Sequence, residues 1–495
     1  MNHLERKDFY QALVWFVLAL IIRLPFRSQF LYHWDSVNFA LSLEKYDVRI
    51  HQPHPPGYIL YSLLGRLVNY IFNDANSSLV WISLLGGALG VSLIYLAGKI
   101  LHDQRTGVVA AVLTLANSLH WFYSEIALTY ALEFMLVIPV VVLCYLQLNR
   151  SRKVWAWLAV LLGIAGGVRQ NDLLFLVPLW AVSLLFLDWK RRIGSVMILT
   201  AVVLVWMLPM MSLSGDPVGY LEALASESSG IASDSSFLEM NQLILNTGRI
   251  FIFTSYGLLL GWIPILWGGI IFLRSISARM RNVKTWLYFL WIVPAALFYV
   301  FVHIRQHGHI FTFLPAIILL EAAATSYFIE TIRDQGSQRA ASFIIPGILF
   351  FSNLVFFMAA PPALFGSKQL PLQTPSRQSL KIRDQVLDER FTAIRSTFDP
   401  ARTTILAGGD FFRHPDYYLR DYQEAGLSYN LGVEQQVLPE TIHTIILFDE
   451  EAFPDYRNQQ DFNEIHLQHS QLWFITISID QQFIISRDKL MISNP

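Results

Sequence analysis

Phe9-Tyr-Gln-Ala-Leu-Val-Trp-Phe-Val-Leu-Ala-Leu-Ile-Ile-Arg-Leu-Pro25 is an apolar run followed closely by the polar stretch His33-Trp34-Asp35-Ser36-Val37-Asn38. A helix needs ~20 such residues to cross ~30 Å of hydrocarbon. The pattern recurs along the chain up to Pro361-Pro362, giving about eleven apolar stretches near 9–25, 78–98, 107–121, 126–147, 154–168, 172–187, 193–213, 249–271, 285–303, 310–331 and 341–361. A further apolar piece, Tyr58 to Phe72, contains Gly65, Arg66 and Asn69 and reads as an interfacial or re-entrant helix in the first loop. The reading predicts an all-α polytopic membrane domain of about 11 transmembrane helices over residues 1–361.

Composition agrees with a membrane protein. Of 495 residues 54% are hydrophobic and 15% charged, and the mean hydropathy is +0.43. The net charge of −1 leaves no global basic field, so nucleic acid is excluded as a partner. The single cysteine, Cys144, excludes a disulfide framework and a cysteine-based zinc or iron–sulfur site within the chain. The first apolar run carries no small-residue cleavage site and is expected to stay as an anchor rather than leave as a signal peptide.

Residues 362–495 differ. They hold 30 of the 73 charged residues, a charged fraction of about 22% against about 12% upstream. Thr403–Gly409, Thr444–Phe448 and Leu472–Ile479 read as short strands and Gln378–Ser396 as a helix, which predicts a small soluble α/β domain. Basic residues of the short loops fix an orientation. With a cytoplasmic N-terminus, Arg6, Lys7, Lys99, Arg105, Arg150, Arg152, Lys153, Lys190, Arg191, Arg192, Arg274, Arg279, Arg281, Lys284, Arg333 and Arg339 lie inside, while the outer short loops hold chiefly Arg169 and Arg305. The positive-inside rule then places the C-terminal domain outside the cytoplasm.

The polar residues that a membrane protein must justify gather on that outer face. The first loop carries Trp34, Asp35, Glu44, Asp47, His51 and His54; later turns carry Glu125, Arg169 with Asp172, and Arg305, His307 and His309. Each has a plainer role available. Arginines at helix ends snorkel to headgroups, Asp172 caps the next helix, Glu125 serves a helix dipole and the two histidines sit at the interface. Asp35 is harder to dismiss, because no transmembrane helix begins there that would need a cap. Carboxylates facing arginines at one membrane depth can bind an anionic lipid phosphate and retain a base.

Asp35 after the first helix, the His54-Pro-Pro-Gly-Tyr58 segment, the Gly-Gly-Val-Arg169 turn and the Gly308-His-Ile-Phe-Thr-Phe-Leu-Pro315 helix together resemble the GT-C superfamily of polyprenyl-phosphate-sugar-dependent glycosyltransferases. The resembling branch holds the protein O-mannosyltransferases and the lipid A aminoarabinose transferase. The resemblance implies an inverting transfer from a polyprenyl-phosphate-linked sugar donor to an acceptor lipid, glycan or protein on the outer face of a membrane, by analogy the bacterial inner membrane. Asp35 would be the catalytic base, and Arg169 and Arg305, with His307 or His309, would stabilise phosphate charge. Trp34, His54, Glu125 and Asp172 join them as substrate-binding candidates. The family's acidic pair is incomplete here, since Ser36 follows Asp35, which leaves Glu44, Asp47 and Glu125 as alternatives for a second carboxylate. A Lys/Arg-Pro-Pro form is common where this chain has His54-Pro-Pro, so charge at that corner depends on histidine protonation. The resemblance also allows a divalent metal ion near Asp35, although no His/carboxylate set has metal-site spacing.

Two rival classes stand beside the transferase. A transporter or flippase of a lipid-linked or anionic substrate would place ionisable residues at the bilayer midplane and show repeated halves; no such repeat is evident. A non-catalytic scaffold would need no intact Asp35. Neither Gly-x-x-x-x-Gly-Lys nor Gly-x-Gly-x-x-Gly on a strand–helix unit occurs, which disfavours a nucleotide-linked donor. Ser214–Gly248, rich in Ser and Gly, reads as a mobile loop, and Gly408-Gly409-Asp410 with Arg413-His414-Pro415-Asp416 as a strand-to-helix turn.

Overall fold

The computed structural model describes residues 4–149, 153–234, 240–274, 276, 280–302, 304–367, 370–407, 409–424, 436–437, 444–448, 465–466, 473–477 and 483–486. The chain up to residue 359 is helical: α1 (Arg6–Arg23), α2 (Trp34–Glu44), α3 (Ile59–Phe72), α4 (Ala75–Leu101), α5 (Gln104–Ala116), α6 (Ser118–Ser124), α7 (Tyr130–Leu148), α8 (Trp155–Val168), α9 (Gln170–Leu184), α10 (Trp189–Leu213), α11 (Pro217–Asp234), α12 (Met240–Leu258), α13 (Trp262–Arg274), α14 (Val283–Phe301), α15 (Leu314–Glu330) and α16 (Gln335–Ala359). Among the described residues seven spans are long and apolar enough to cross a membrane: those of α1, α4, α7, α10, α12 with α13, α14 and α16. The other four apolar stretches of the sequence fall on the shorter helices α5 with α6, α8, α9 and α15. Large apolar side chains such as Phe9, Leu13, Val14 and Ile21 of α1 and Phe343, Phe351 and Val355 of α16 point outward, the surface that an integral membrane protein turns to lipid. Helix α3 behaves as an amphipathic element, exposing Leu67, Tyr70 and Ile71 while Ile59, Tyr61, Ser62 and Gly65 are buried.

Three local readings differ from the sequence expectations. A helix does begin beside Asp35: α2 is capped by His33, and all its residues from Ser36 to Leu43 are buried. It lies sandwiched rather than spanning, so its apolar length is too short to register as a membrane segment. The Ser214–Gly248 stretch is largely helical, because Asp216 accepts the Gly219 N–H (2.6 Å) and Pro217 occupies the first helical position of α11, a standard start signal. Finally Glu125 does not open a helix; it ends α6, and α7 starts at Tyr130.

After α16, β1 (Ala363–Ser367) and β2 (Leu370–Gln373) pair antiparallel. Helix α17 (Arg377–Thr397) and the short α18 (His414–Tyr418) accompany β3 (Thr403–Leu406), β4 (Gln423–Glu424), β5 (Gln436–Val437), β6 (Thr444–Leu447), β7 (Ile465–His466), β8 (Trp473–Ile477) and β9 (Phe483–Ser486). Five strands form one sheet in the order β4-β3-β6-β8-β9, parallel except for β9. Leu387, Phe391 and Ile394 of α17 bury against Ile405, Ile446 and Phe448. The expected strands fall on β3, β6 and β8, and the expected helix on α17. Gly408, Leu472, Ser478 and Ile479 lie outside the described residues, as does His303.

This segment docks on the strap Ser28–Tyr32 that leads into α2. The Asp384 carboxylate accepts from Ser28 Oγ (2.7 Å) and the Gln29 and Phe30 N–H groups (2.9 and 3.3 Å). Leu31 N–H donates to Tyr418 Oη (2.8 Å), and Leu31 O lies 2.8 Å from His414 Nε2. Arg413 reaches Asn38 Oδ1 at 2.9 Å and pairs with Asp416, so the Arg413–Asp416 turn is a docking element.

Candidate functional site

Asp35 projects from the first turn of α2 into a ring of polar side chains drawn from three separate parts of the chain. His33 Nδ1 lies 3.2 Å from Oδ2, and His54 Nδ1, from the loop before α3, lies 3.3 Å from Oδ1. Gln306 Nε2, ahead of α15, donates to Oδ2 at 3.1 Å and stands 3.3 Å from His33 Nε2. Tyr130 Oη donates to Gln306 Oε1 (3.0 Å) and fixes the amide's orientation. Burial pushes the Asp35 carboxyl up, but His54, His33 and the Gln306 amide outweigh it and hold it below the ordinary carboxylate range. Burial lowers His54, with Arg169 and His33 acting in the same sense against Asp35. His54 thus approaches Asp35 as a buried polar contact at 3.3 Å.

The loop that presents His54 is tightly held. Tyr46 Oη donates to Gly57 O (2.6 Å), and Gly57 has φ of 120°, a conformation that glycine alone adopts without strain. The His54 ring packs against Phe39 and Tyr58. Tyr220 of α11 donates to Pro56 O (3.0 Å), laying α11 over this loop.

Behind the Asp35 ring lies a second cluster. Arg169, buried at the α8–α9 junction, places Nε 3.1 Å from Glu133 Oε2, donates to Thr129 Oγ1 (3.1 Å) and stacks over Tyr130 at 4.4 Å. Thr312 Oγ1 donates to Glu133 Oε1 (2.5 Å) and lies 3.4 Å from Asp172 Oδ1. Asp172 thus joins the Arg169 cluster instead of capping α9. The structure brings Asp35 and His54 together, with Arg169 and Asp172 one layer behind, joined through Tyr130 and Gln306.

The other nominated residues lie elsewhere. Glu125 is buried, and burial lifts its carboxyl well above its usual range against the pull of the Arg23 charge; the Arg23 guanidinium itself bonds Ser124 Oγ and His120 Nδ1 (3.0 Å each). Trp34 packs on Phe412 of the C-terminal segment, ring centres 4.7 Å apart. His307 is structural: Gly308 N–H donates to Tyr123 Oη (2.8 Å), Tyr123 Oη donates to His307 Nδ1 (2.7 Å), and His307 Nε2 donates to Gln373 O (3.2 Å). His309 stacks on Tyr299 at 5.2 Å. Arg305 is exposed, and its charge acts on Glu227 and Arg249.

Two of the three alternatives for a second carboxylate are paired away from Asp35, Glu44 with Arg420 (2.8 Å) and Asp47 with Arg49 (2.8 Å), and the third, Glu125, is buried where the charge of Arg23 acts on it. Burial, and then the charge of Asp35, raise the carboxyl of Glu227 on α11. Among the described residues no group of three or more His, Cys, Asp or Glu side chains converges as metal ligands; the imidazoles here turn toward the carboxylate itself. Sequence reasoning missed His33, Tyr130, Glu133, Glu227 and Gln306. Glu133 carried a signal, an acid inside an apolar span; Gln306 and Tyr130 carried none.

Residues 53–213 match the family model described as dolichyl-phosphate-mannose-protein mannosyltransferase, a stretch that includes His54, Glu133, Arg169 and Asp172. Comparison with curated protein sequences gives no match. The crystal structure of ArnT from Cupriavidus metallidurans bound to undecaprenyl phosphate superposes with a TM-score of 0.56 at 13% identity, covering 94% of this chain and 92% of that one. The apo ArnT structure gives 0.50 at 12% identity, covering 95% and 92%. The apo oligosaccharyltransferase of Archaeoglobus fulgidus gives 0.52 at 12% identity, covering 86% and 66%. The resemblance read from the sequence thus has two supports, a segment matching the mannosyltransferase family model at residues 53–213 and, over nearly the whole chain, a fold similar to that of ArnT.

Proposed function

We propose that this chain is an inverting membrane glycosyltransferase that moves a sugar from a polyprenyl-phosphate-linked donor to a lipid, glycan or protein acceptor. The observation that carries the reading is Asp35, held ionised by His33, His54 and Gln306 beside the buried Arg169 cluster. Asp35 supplies the negative charge that makes acceptor deprotonation favourable, while the positive charge of Arg169, with Arg305 at the exposed edge, favours the departing phosphate. In this reading the seven long spans and the four short apolar helices make eleven crossings, with the N-terminus in the cytoplasm and the C-terminal segment outside a bacterial inner membrane; the basic residues of the short loops support that orientation. The undecaprenyl phosphate in the ArnT crystal makes that lipid the first donor carrier to test. Release of undecaprenyl phosphate from a panel of its sugar conjugates, supplied with envelope extract, is expected for the wild type in nanodiscs. Asp35→Asn should slow it by at least about 10²-fold; equal rates reject the role of Asp35.

A second reading, a carrier, is favoured by one observation. Glu321, midway along α15, is buried with Oε1 unpartnered and packs on Gly261 at the break between α12 and α13, an arrangement found at midplane sites of transporters. Movement of labelled lipid across vesicles without sugar transfer would favour that reading.

A further inference from the structure

We propose that the atom taking the proton from the acceptor is Nε2 of His54, with Asp35 as the residue that orients the ring and stabilises its charged form. The inference rests on the glycosyl transfer proposed above and deepens it.

Both oxygens of Asp35 are already approached, Oδ1 by His54 and Oδ2 by His33 and Gln306. A carboxylate so surrounded, and held below its ordinary range, is a weak base at neutral pH. Around it His54 leaves one ring nitrogen open. Its Nδ1 is buried without a hydrogen-bond partner and faces Asp35 Oδ1 at 3.3 Å; in the proposed step this approach tightens into a hydrogen bond when substrate binds. Its Nε2 is neither among the buried atoms nor hydrogen-bonded within the described residues. His33 differs, since Nδ1 meets the Asp35 carboxylate and backbone N–H while Nε2 meets Gln306. With the Nδ1 proton turned toward Asp35, His54 Nε2 presents a lone pair outward, the arrangement by which a carboxylate-oriented imidazole activates a nucleophile. The charged and titratable groups acting on His54 are Asp35, Arg169, His33 and His51, and the ring rests on Phe39 and Tyr58.

In the step that follows, the acceptor O–H or N–H proton passes to His54 Nε2 as the acceptor atom bonds to the anomeric carbon. The bond from that carbon to the phosphate oxygen breaks, and its electron pair leaves with the polyprenyl phosphate. Asp35 steadies the imidazolium, which then returns its proton to water.

His54→Gln and His54→Lys, assayed for transfer and for undecaprenyl phosphate binding in nanodiscs, decide the matter. A proton acceptor predicts turnover down about 10²–10⁴-fold in both variants near pH 7, with undecaprenyl phosphate affinity unchanged in His54→Gln. A histidine that serves as a phosphate ligand predicts weaker lipid binding in His54→Gln and restored activity in His54→Lys; that pattern overturns the proposal. Should the wild type transfer nothing from any donor, the glycosyltransferase reading itself fails. The imidazole geometry is then judged by diethyl pyrocarbonate labelling, read by mass spectrometry. His54 is expected to label faster than His307 and His414, and at an altered rate in Asp35→Asn. A His54 that does not label, or is indifferent to Asp35→Asn, overturns it.

Discussion

Arg169 Nε lies 3.1 Å from Glu133 Oε2, and both side chains are almost wholly withdrawn from solvent. This makes Arg169 an anchored cation, tied inward by Glu133 and Thr129, that reaches the Asp35 ring through the face of Tyr130. Removing one partner of such a pair strands the other. Glu133→Ala should therefore cost about 3–5 kcal/mol, seen as a large fall in the thermal midpoint in detergent, while Glu133→Gln, which keeps a partner for Thr312, costs less. A midpoint unchanged in Glu133→Ala would reject the pairing.

Gly57 sets the corner that presents His54. A Cβ there would stand 2.7 Å from Tyr46 Oη and 2.8 Å from Met210 Sδ, on a backbone at φ of 120°. Gly57→Ala should destabilise the loop by at least about 1–2 kcal/mol and lower turnover with it. Wild-type turnover in that variant would mean that the corner is not needed for the site.

His307 predicts an acid sensitivity. Burial holds its imidazole at about 4, against the Gln373 carbonyl that works to raise it, whereas an unfolded histidine titrates near 6.5. Between these values the unfolded chain binds more protons, so the contribution is complete above about pH 6.5 and is lost as the pH falls through 4. The loss is on the order of 3 kcal/mol. Thermal midpoints measured from pH 7 to 4.5 should fall less steeply for His307→Gln; parallel curves would contradict the assignment.

Asp384 ties the C-terminal segment to the strap before α2 through three hydrogen bonds, two of them from backbone N–H groups. Hydrogen bonds to a charged group are worth about 1.5–3 kcal/mol. In Asp384→Ala the Gln29 and Phe30 amides should exchange hydrogen markedly faster, and transfer should weaken because α2 carries Asp35. Unaltered exchange at those two amides would show that the docking is held elsewhere.

Much of the helical frame was readable because a bilayer imposes a length and an apolar composition that survive in one dimension. The stretches around 78–98, 193–213 and 341–361 are α4, α10 and α16, and Tyr58–Phe72 is α3. Helix α2 escaped because it buries both faces, one against the membrane helices and one against the C-terminal segment, so its pattern imitates neither a span nor a surface helix. Helix α11 is hidden in the sequence by its Ser and Gly content, although Asp216-Pro217 carries a helix start signal. Within the site, Asp35 was visible as an ionisable residue with no evident structural task, and His54 through the resemblance of its His54-Pro-Pro segment to the family. Trp34 and His307 looked alike in sequence to the site residues, yet the fold uses them to dock the C-terminal segment, and Glu125 is buried apart from Asp35.

The sequence by itself determined a polytopic helical chain, the gathering of its ionisable residues in a few turns between apolar stretches, and the residues from which a site could be drawn, since hydrophobic length and local charge are properties of short segments. Only the tertiary structure decided which of those residues meet. His33, His54 and Gln306 converge on one carboxylate although 273 positions separate the first from the last. That convergence depends on how α2, α3 and α15 pack, and contacts between segments distant along the chain leave no periodicity to read.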